Sequence, residues 1–119
     1  MARPQADSPP PLFPLPPKRK RLAIITTEWR YHSHAWHMGT RFLVGYPING
    51  RWHKPPFEVV SAYIDQCPDG DLSRARSKEF GFPIYNTIAE AMRCGGKELV
   101  VDAVLCIGEH GNYPTNDIG

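Results

Sequence analysis

The sequence predicts an α/β fold in which a parallel sheet is flanked by helices. Three observations carry that expectation. First, the runs 22–26 (LAIIT), 57–64 (FEVVSAYI) and 100–107 (VVDAVLCI) are nearly continuous in apolar residues. They lack strict alternation, as expected of strands covered on both faces. Second, helical patterns closed by glycine lie between them, at Gly45, Gly81 and Gly95-Gly96. Strands alternating with helices make a parallel sheet with right-handed crossovers. Third, an acidic residue, Asp65, directly follows the second apolar run. Together these describe a Rossmann-like sheet, the first half of a doubly wound fold.

The elements follow in order. Residues 1–17 are dominated by Pro4, Pro9, Pro10, Pro11, Pro14, Pro16 and Pro17, which favour extended polyproline conformations and supply no amide donors. With the basic run Lys18-Arg19-Lys20-Arg21 they read as a disordered leader over 1–21, and 22–119 as the domain. After the first strand, Ala35, Met38, Phe42 and Leu43 recur at helical spacing, so a helix is predicted from Ser33 or His34 to Val44. Residues 50–56 (GRWHKPP) read as a loop. Beyond Asp65, Pro68-Asp69-Gly70 makes a turn, and Asp71 is expected to cap a helix bearing Leu72, Ala75 and Phe80 on one face and ending at Gly81. Residues 83–85 are a short extended piece. Thr87 and Glu90 have capping-box spacing, and the helix they begin ends at Gly95-Gly96. The last apolar run is a third long strand.

Composition narrows the function. The chain has 119 residues, enough for one small domain. With 14 Lys+Arg against 12 Asp+Glu, the net charge is +2, too balanced to argue for a nucleic-acid partner. No apolar run approaches the ~20 residues of a membrane span. Cys67, Cys94 and Cys106 form no CxxC pair, so reduced thiols and a cytoplasmic setting are expected. Cys106, in an apolar run, reads as a small buried residue.

One series of motifs resembles a known family. Ser73-Arg74-Ala75-Arg76, Glu79-Phe80-Gly81-Phe82-Pro83-Ile84-Tyr85, Thr87-Ile88, Glu90-Ala91 and Val101-Asp102-Ala103-Val104 follow one another in an order similar to the amino-terminal domain of the Gfo/Idh/MocA oxidoreductases. The resemblance implies a domain binding NAD or NADP, and hydride transfer to or from a sugar-like alcohol or ketone. Asp65 matches the family's acidic residue on the adenosine ribose. A carboxylate accepts two hydroxyl hydrogens and disfavours a 2′-phosphate, so NAD is favoured. Thr26 and Thr27 stand at the first-strand loop. Ile107, Gly108, Glu109 and His110 match the loop bordering the nicotinamide. The family's catalytic lysine motif and substrate-binding sheet domain have no counterpart here, so the chain reads as an inactive front fragment of a longer or truncated protein. A homo-oligomer is compatible with such a domain.

The first loop departs from the pattern. A G-x-G-x-x-G fingerprint lets the backbone approach a pyrophosphate and aims helix amides at it. Here the segment is Thr26-Thr27-Glu28-Trp29-Arg30-Tyr31-His32-Ser33-His34. Its side chains hinder close approach, and Glu28 repels phosphate unless Arg30 or Arg41 compensates. His32, His34 and His37 form H-x-H-x-x-H, candidate ligands for a transition metal. Glu109 and His110 are candidates for a general acid–base pair. Two rival functions follow: a non-catalytic Rossmann-like ligand-binding or scaffold module, and a metal-dependent hydrolase using the histidines.

Overall fold

A computed structural model describes residues 18–118; the proline-rich part of the expected leader lies outside the described residues. The α/β architecture is as the sequence predicts. Strands β1 (Lys20–Thr26), β4 (Phe57–Ile64), β5 (Ile84–Tyr85) and β6 (Ala103–Ile107) form one parallel sheet in the order β5-β4-β1-β6. Numbered only among themselves, the parallel strands run 3-2-1-4, the order of the first half of a doubly wound sheet. The order reverses between β1 and β6, and that reversal fixes where a ligand cleft opens.

β1 is the central strand because its residues can be buried on both faces. Ile24 joins Trp29, Ala35, Leu43, Ala62, Ile64, Phe82 and Ile107 in one core. Its neighbours Ala23 and Ile25 join Ala91 in a second core on the opposite face. Helix α1 (His34–Leu43) packs on the first face, where Leu72 and Phe80 at the two ends of α2 (Ser73–Phe80) also lie. The short α3 (Ile88–Arg93) covers the second.

Local chemistry sets the helix ends. Ser33 caps α1, its hydroxyl accepting from the Trp36 amide at 3.1 Å. Thr87 caps α3, accepting from the Glu90 amide at 3.0 Å, while the Glu90 carboxylate reaches back to the Asn86 amide at 3.3 Å. Gly81 closes α2 in the left-handed conformation, φ 77°, which glycine adopts without steric cost.

Five expectations need correction. Lys20 and Arg21 are not part of a leader: they open β1, paired with Phe57 and Glu58. Residues 50–56 are not all loop: β2 (Tyr46–Ile48) and β3 (Arg51–His53) form an antiparallel hairpin. Its two turn residues, Asn49 and Gly50, have φ of 49° and 74°, a preference Asn-Gly shares with type I′ turns. Asp71 does not cap α2. The cap residue is Leu72, with no side-chain cap bond, and the Asp71 carboxylate accepts from the Ser73 hydroxyl at 2.7 Å. The last strand is shorter than the apolar run, because Asp102 bonds the Arg21 amide at 2.8 Å just before β6 begins. Cys106 is exposed rather than buried. Its register partner is Ile25, so it shares the face of α3, and that helix is too short to extend over β6. Val104, on the same face, is 40% exposed for the same reason.

Candidate functional site

Ligands of open α/β sheets bind at the carboxyl ends of the strands, at the point where strand order reverses. Here that edge is held by main-chain bonds. The Thr27 amide donates to the Ile107 carbonyl at 3.3 Å, the Asp65 amide to the Thr26 carbonyl at 3.0 Å and the Gln66 amide to the Thr27 carbonyl at 2.8 Å. The ends of β1, β4 and β6 are thereby stitched together.

A cleft of about 230 Å3 opens at this edge. Thr26, Thr27, Asp65, Ile107 and Gly108, all expected site residues, line it. The sequence reading missed Ile25, Tyr63, Ile88, Cys106 and Tyr113, which complete the lining. Tyr63 had a signal: it lies two residues before Asp65 on β4, and strand residues two apart share a face. Tyr113 had none, because its contact with Asp65 spans 48 residues of chain. The floor is apolar, and the polar groups gather at one rim. A larger cavity, about 280 Å3, lies at the other end of β4 beside Phe42, Phe80 and Arg19. It contains none of the expected site residues, and strand-end chemistry favours the smaller cleft.

Asp65 is the focus of that rim. The Tyr63 hydroxyl donates to Oδ1 at 2.5 Å, and the Tyr113 hydroxyl donates to Oδ2. The hydrogen bond from Tyr113, then that from Tyr63, lowers the Asp65 pKa below its ordinary value. Both phenols are pushed up in turn, chiefly because each donates to the carboxylate.

The first loop solves its missing glycines by burying its bulk. Trp29 is fully buried, stacked on Phe82 with ring centroids 6.1 Å apart. Its carbonyl accepts from the Leu72 amide at 2.7 Å. Glu28 is buried as well, and Arg30 Nε meets its carboxylate at 3.0 Å. The cation beside it balances the charge that would otherwise oppose an anionic ligand.

Glu109 meets His34, not His110, as its side-chain partner. Its carboxylate, with 5% of the side chain exposed, accepts from the His34 backbone amide at 2.6 Å and lies 3.0 Å from His34 Nδ1. Burial raises the Glu109 pKa, but the bonds from the His34 amide and imidazole outweigh it, and the net shift is downward. The His34 amide is in the first turn of α1, so the carboxylate also gains from the positive end of the helix dipole. His110 is exposed.

His32 and His37 belong to a ring cluster. Tyr31 stacks on His32 at 3.9 Å, and His32 and His37 lie parallel at 5.8 Å, with Trp36 edge-on to both. Parallel rings do not converge their nitrogens on a common point. Among the described residues, no group of three or more His, Cys, Asp or Glu side chains comes together in a way that could hold a metal ion. No helix is long and apolar enough to cross a membrane, among the described residues.

Comparison with protein-family models, curated proteins and solved structures finds no match.

Proposed function

We propose that this chain is the nucleotide-binding front of a Gfo/Idh/MocA-type oxidoreductase, taking NAD in preference to NADP for hydride transfer with a sugar-like alcohol or ketone. The observation that carries the reading is the cleft at the strand-order reversal, with an ionised Asp65 at its rim and an apolar floor beside it. An acid at the end of the second parallel strand is placed to accept two ribose hydroxyls, and it repels a 2′-phosphate. Ile25, Ile88 and Ile107 supply apolar contact for a base or nicotinamide ring. Thr27 and Gly108 border the cleft, and a Cβ at Gly108 would meet nothing within 4 Å, so a ligand can approach that backbone.

The test is titration of the isotope-labelled chain with NAD+ to millimolar concentration, followed by amide resonances. Saturable shifts at Thr26, Thr27, Asp65 and Gly108 are expected, with weaker effects from NADP+. Absence of any saturable shift at these residues sinks the reading.

One observation favours the rival, a Rossmann-like module that binds a ligand without catalysing hydride transfer. The α1 amide that would face a pyrophosphate is already bonded to Glu109. Saturable binding of a neutral polyol or nucleoside, together with none of NAD+, would decide for that module.

A further inference from the structure

The segment after β6 turns back along the cleft, with Gly108 and Tyr113 in its lining and Glu109 at the start of α1. In this fold a pyrophosphate sits at the N-terminus of the helix after the first strand. That place is taken by the Glu109 carboxylate, on the His34 amide at 2.6 Å. The ribose diol belongs on the acid that ends the second parallel strand. Both oxygens of Asp65 already accept phenolic hydroxyls, one from Tyr63 and one from Tyr113. Between these two points the backbone is clamped. The Asn112 amide donates to Gln66 Oε1 at 2.8 Å, and Gln66 Nε2 donates to the Asn112 carbonyl at 3.1 Å. Gly111 passes so close that a Cβ there would lie 2.5 Å from Tyr113 Cε2 and 2.8 Å from both Thr27 Cγ2 and Gln66 Oε1.

We propose that residues 109–113 are an internal strap that mimics the nucleotide, the carboxylate of Glu109 standing for phosphate and the phenol of Tyr113 for a ribose hydroxyl, so that ligand must displace it. The proposal rests on the reading of the cleft as a nucleotide site. A carboxylate and a phosphate oxygen cannot share one amide, and two anions held there together would repel. The strap can lift because water reaches the bonds that clamp it and can replace them: His110, Gly111, Asn112 and Tyr113 are all exposed. Binding is therefore weakened by the strap, not abolished, and anything that loosens the strap tightens the nucleotide.

The test uses the full chain and three variants, with ADP and adenosine as probes in calorimetry or amide-resonance titration. Gly111→Ala removes no group from the cleft, and its methyl crowds the Tyr113 ring, Thr27 and Gln66 together, which dislodges the strap, so both probes bind tighter. Glu109→Gln removes the competing charge, and ADP tightens about tenfold, the scale of one charge-assisted hydrogen bond, while adenosine changes little. Tyr113→Phe frees one Asp65 oxygen and tightens both probes about threefold, the modest scale of a hydrogen bond open to solvent. Cooperative urea unfolding of each variant shows that it is folded. Folded variants that bind ADP no more tightly than the parent chain overturn the strap and leave the nucleotide reading standing. If neither parent nor variants bind ADP, adenosine or NAD+, the nucleotide reading falls and the mimic with it.

Discussion

Gly39 lies in the interior of α1, where alanine would ordinarily be the better residue by about 1 kcal/mol. We predict that Gly39→Ala nevertheless destabilises the protein. A Cβ on Gly39 would stand 2.8 Å from Cζ2 and 3.1 Å from Cη2 of Trp29. Carbon atoms pack best at about 3.5–4.0 Å, so either the helix or the ring must move by more than half an ångström. The ring cannot yield cheaply, since it is fully buried, backed by Phe82, and anchored through its own carbonyl to Leu72. Overpacking of this kind costs about 1–3 kcal/mol. Set against the helix-propensity gain of about 1 kcal/mol, the net loss is about 1 kcal/mol. Urea unfolding followed by circular dichroism and tryptophan fluorescence measures it. A double-mutant cycle with Trp29→Phe separates the causes, because phenylalanine lacks the two ring atoms that clash. Alanine at position 39 is then neutral or stabilising. Equal or greater stability of Gly39→Ala in the parent background, or an identical cost in both, refutes the reasoning.

Further predictions concern caps, protons and thiols. Thr87→Ala removes the acceptor for the Glu90 amide and costs about 1 kcal/mol in urea unfolding, which Thr87→Ser restores. Glu109 and Asp65 have lowered pKa values, so the unfolded chain binds protons first as pH falls. Their contribution to stability is complete above the ordinary values of 4.5 and 3.8 and is lost as pH drops through the lower folded values. Glu109→Gln flattens that part of the acid limb; a parallel limb in the variant would count against the His34–Glu109 contact. Tyr63 and Tyr113 are raised from 10.0, so their contribution is present below that pH and disappears as alkali ionises the folded phenols. Phenolate absorbance follows this, and Asp65→Asn shifts both back toward the ordinary value. Cys106 and Cys67 are exposed and Cys94 is partly covered, so an aromatic disulfide reagent labels the first two fast in the folded chain. Protection of Cys106 until unfolding would contradict the uncovered face of β6.

What the sequence revealed was mostly what short-range chemistry decides. The Thr87 cap, the Gly81 stop and the β4–Asp65 boundary each depend on a few neighbouring residues. The hairpin carried its own signal in Asn49-Gly50, which Pro55-Pro56 obscured by marking the whole stretch as irregular. The Asp71 cap failed because the carboxylate was drawn to the Ser73 hydroxyl and its backbone to a bridge with Arg30. Burial of Cys106 was misjudged because apolar composition reports what a strand can bury, whereas the length of α3 decides what is covered. Asp65, Thr26, Thr27, Ile107 and Gly108, expected from the family resemblance, line the cleft because each stands at or just beyond a strand end. Tyr113, Gln66 and the Glu109–His34 pair meet only through the fold, over 46 to 75 residues of separation, and no local pattern encodes them.

The position of β1 in the middle of the sheet has a consequence for how the chain comes to be folded. β1 leaves the ribosome before either of its partners, β4 and then β6, has been made. The last closure is marked by Arg21 and Asp102, 81 residues apart: the Asp102 amide donates to the Arg21 carbonyl, and the Arg21 amide donates to the Asp102 carboxylate. Long loops must lose their freedom before such pairings return any energy, and folding slows accordingly. Until β6 emerges, the Leu22–Ile25 stretch has an unsatisfied ladder edge and four apolar side chains without their full cover. The basic residues Lys18, Arg19, Lys20 and Arg21, immediately ahead of it, keep like chains apart by charge during that interval, as gatekeeping charges do beside other exposed strands.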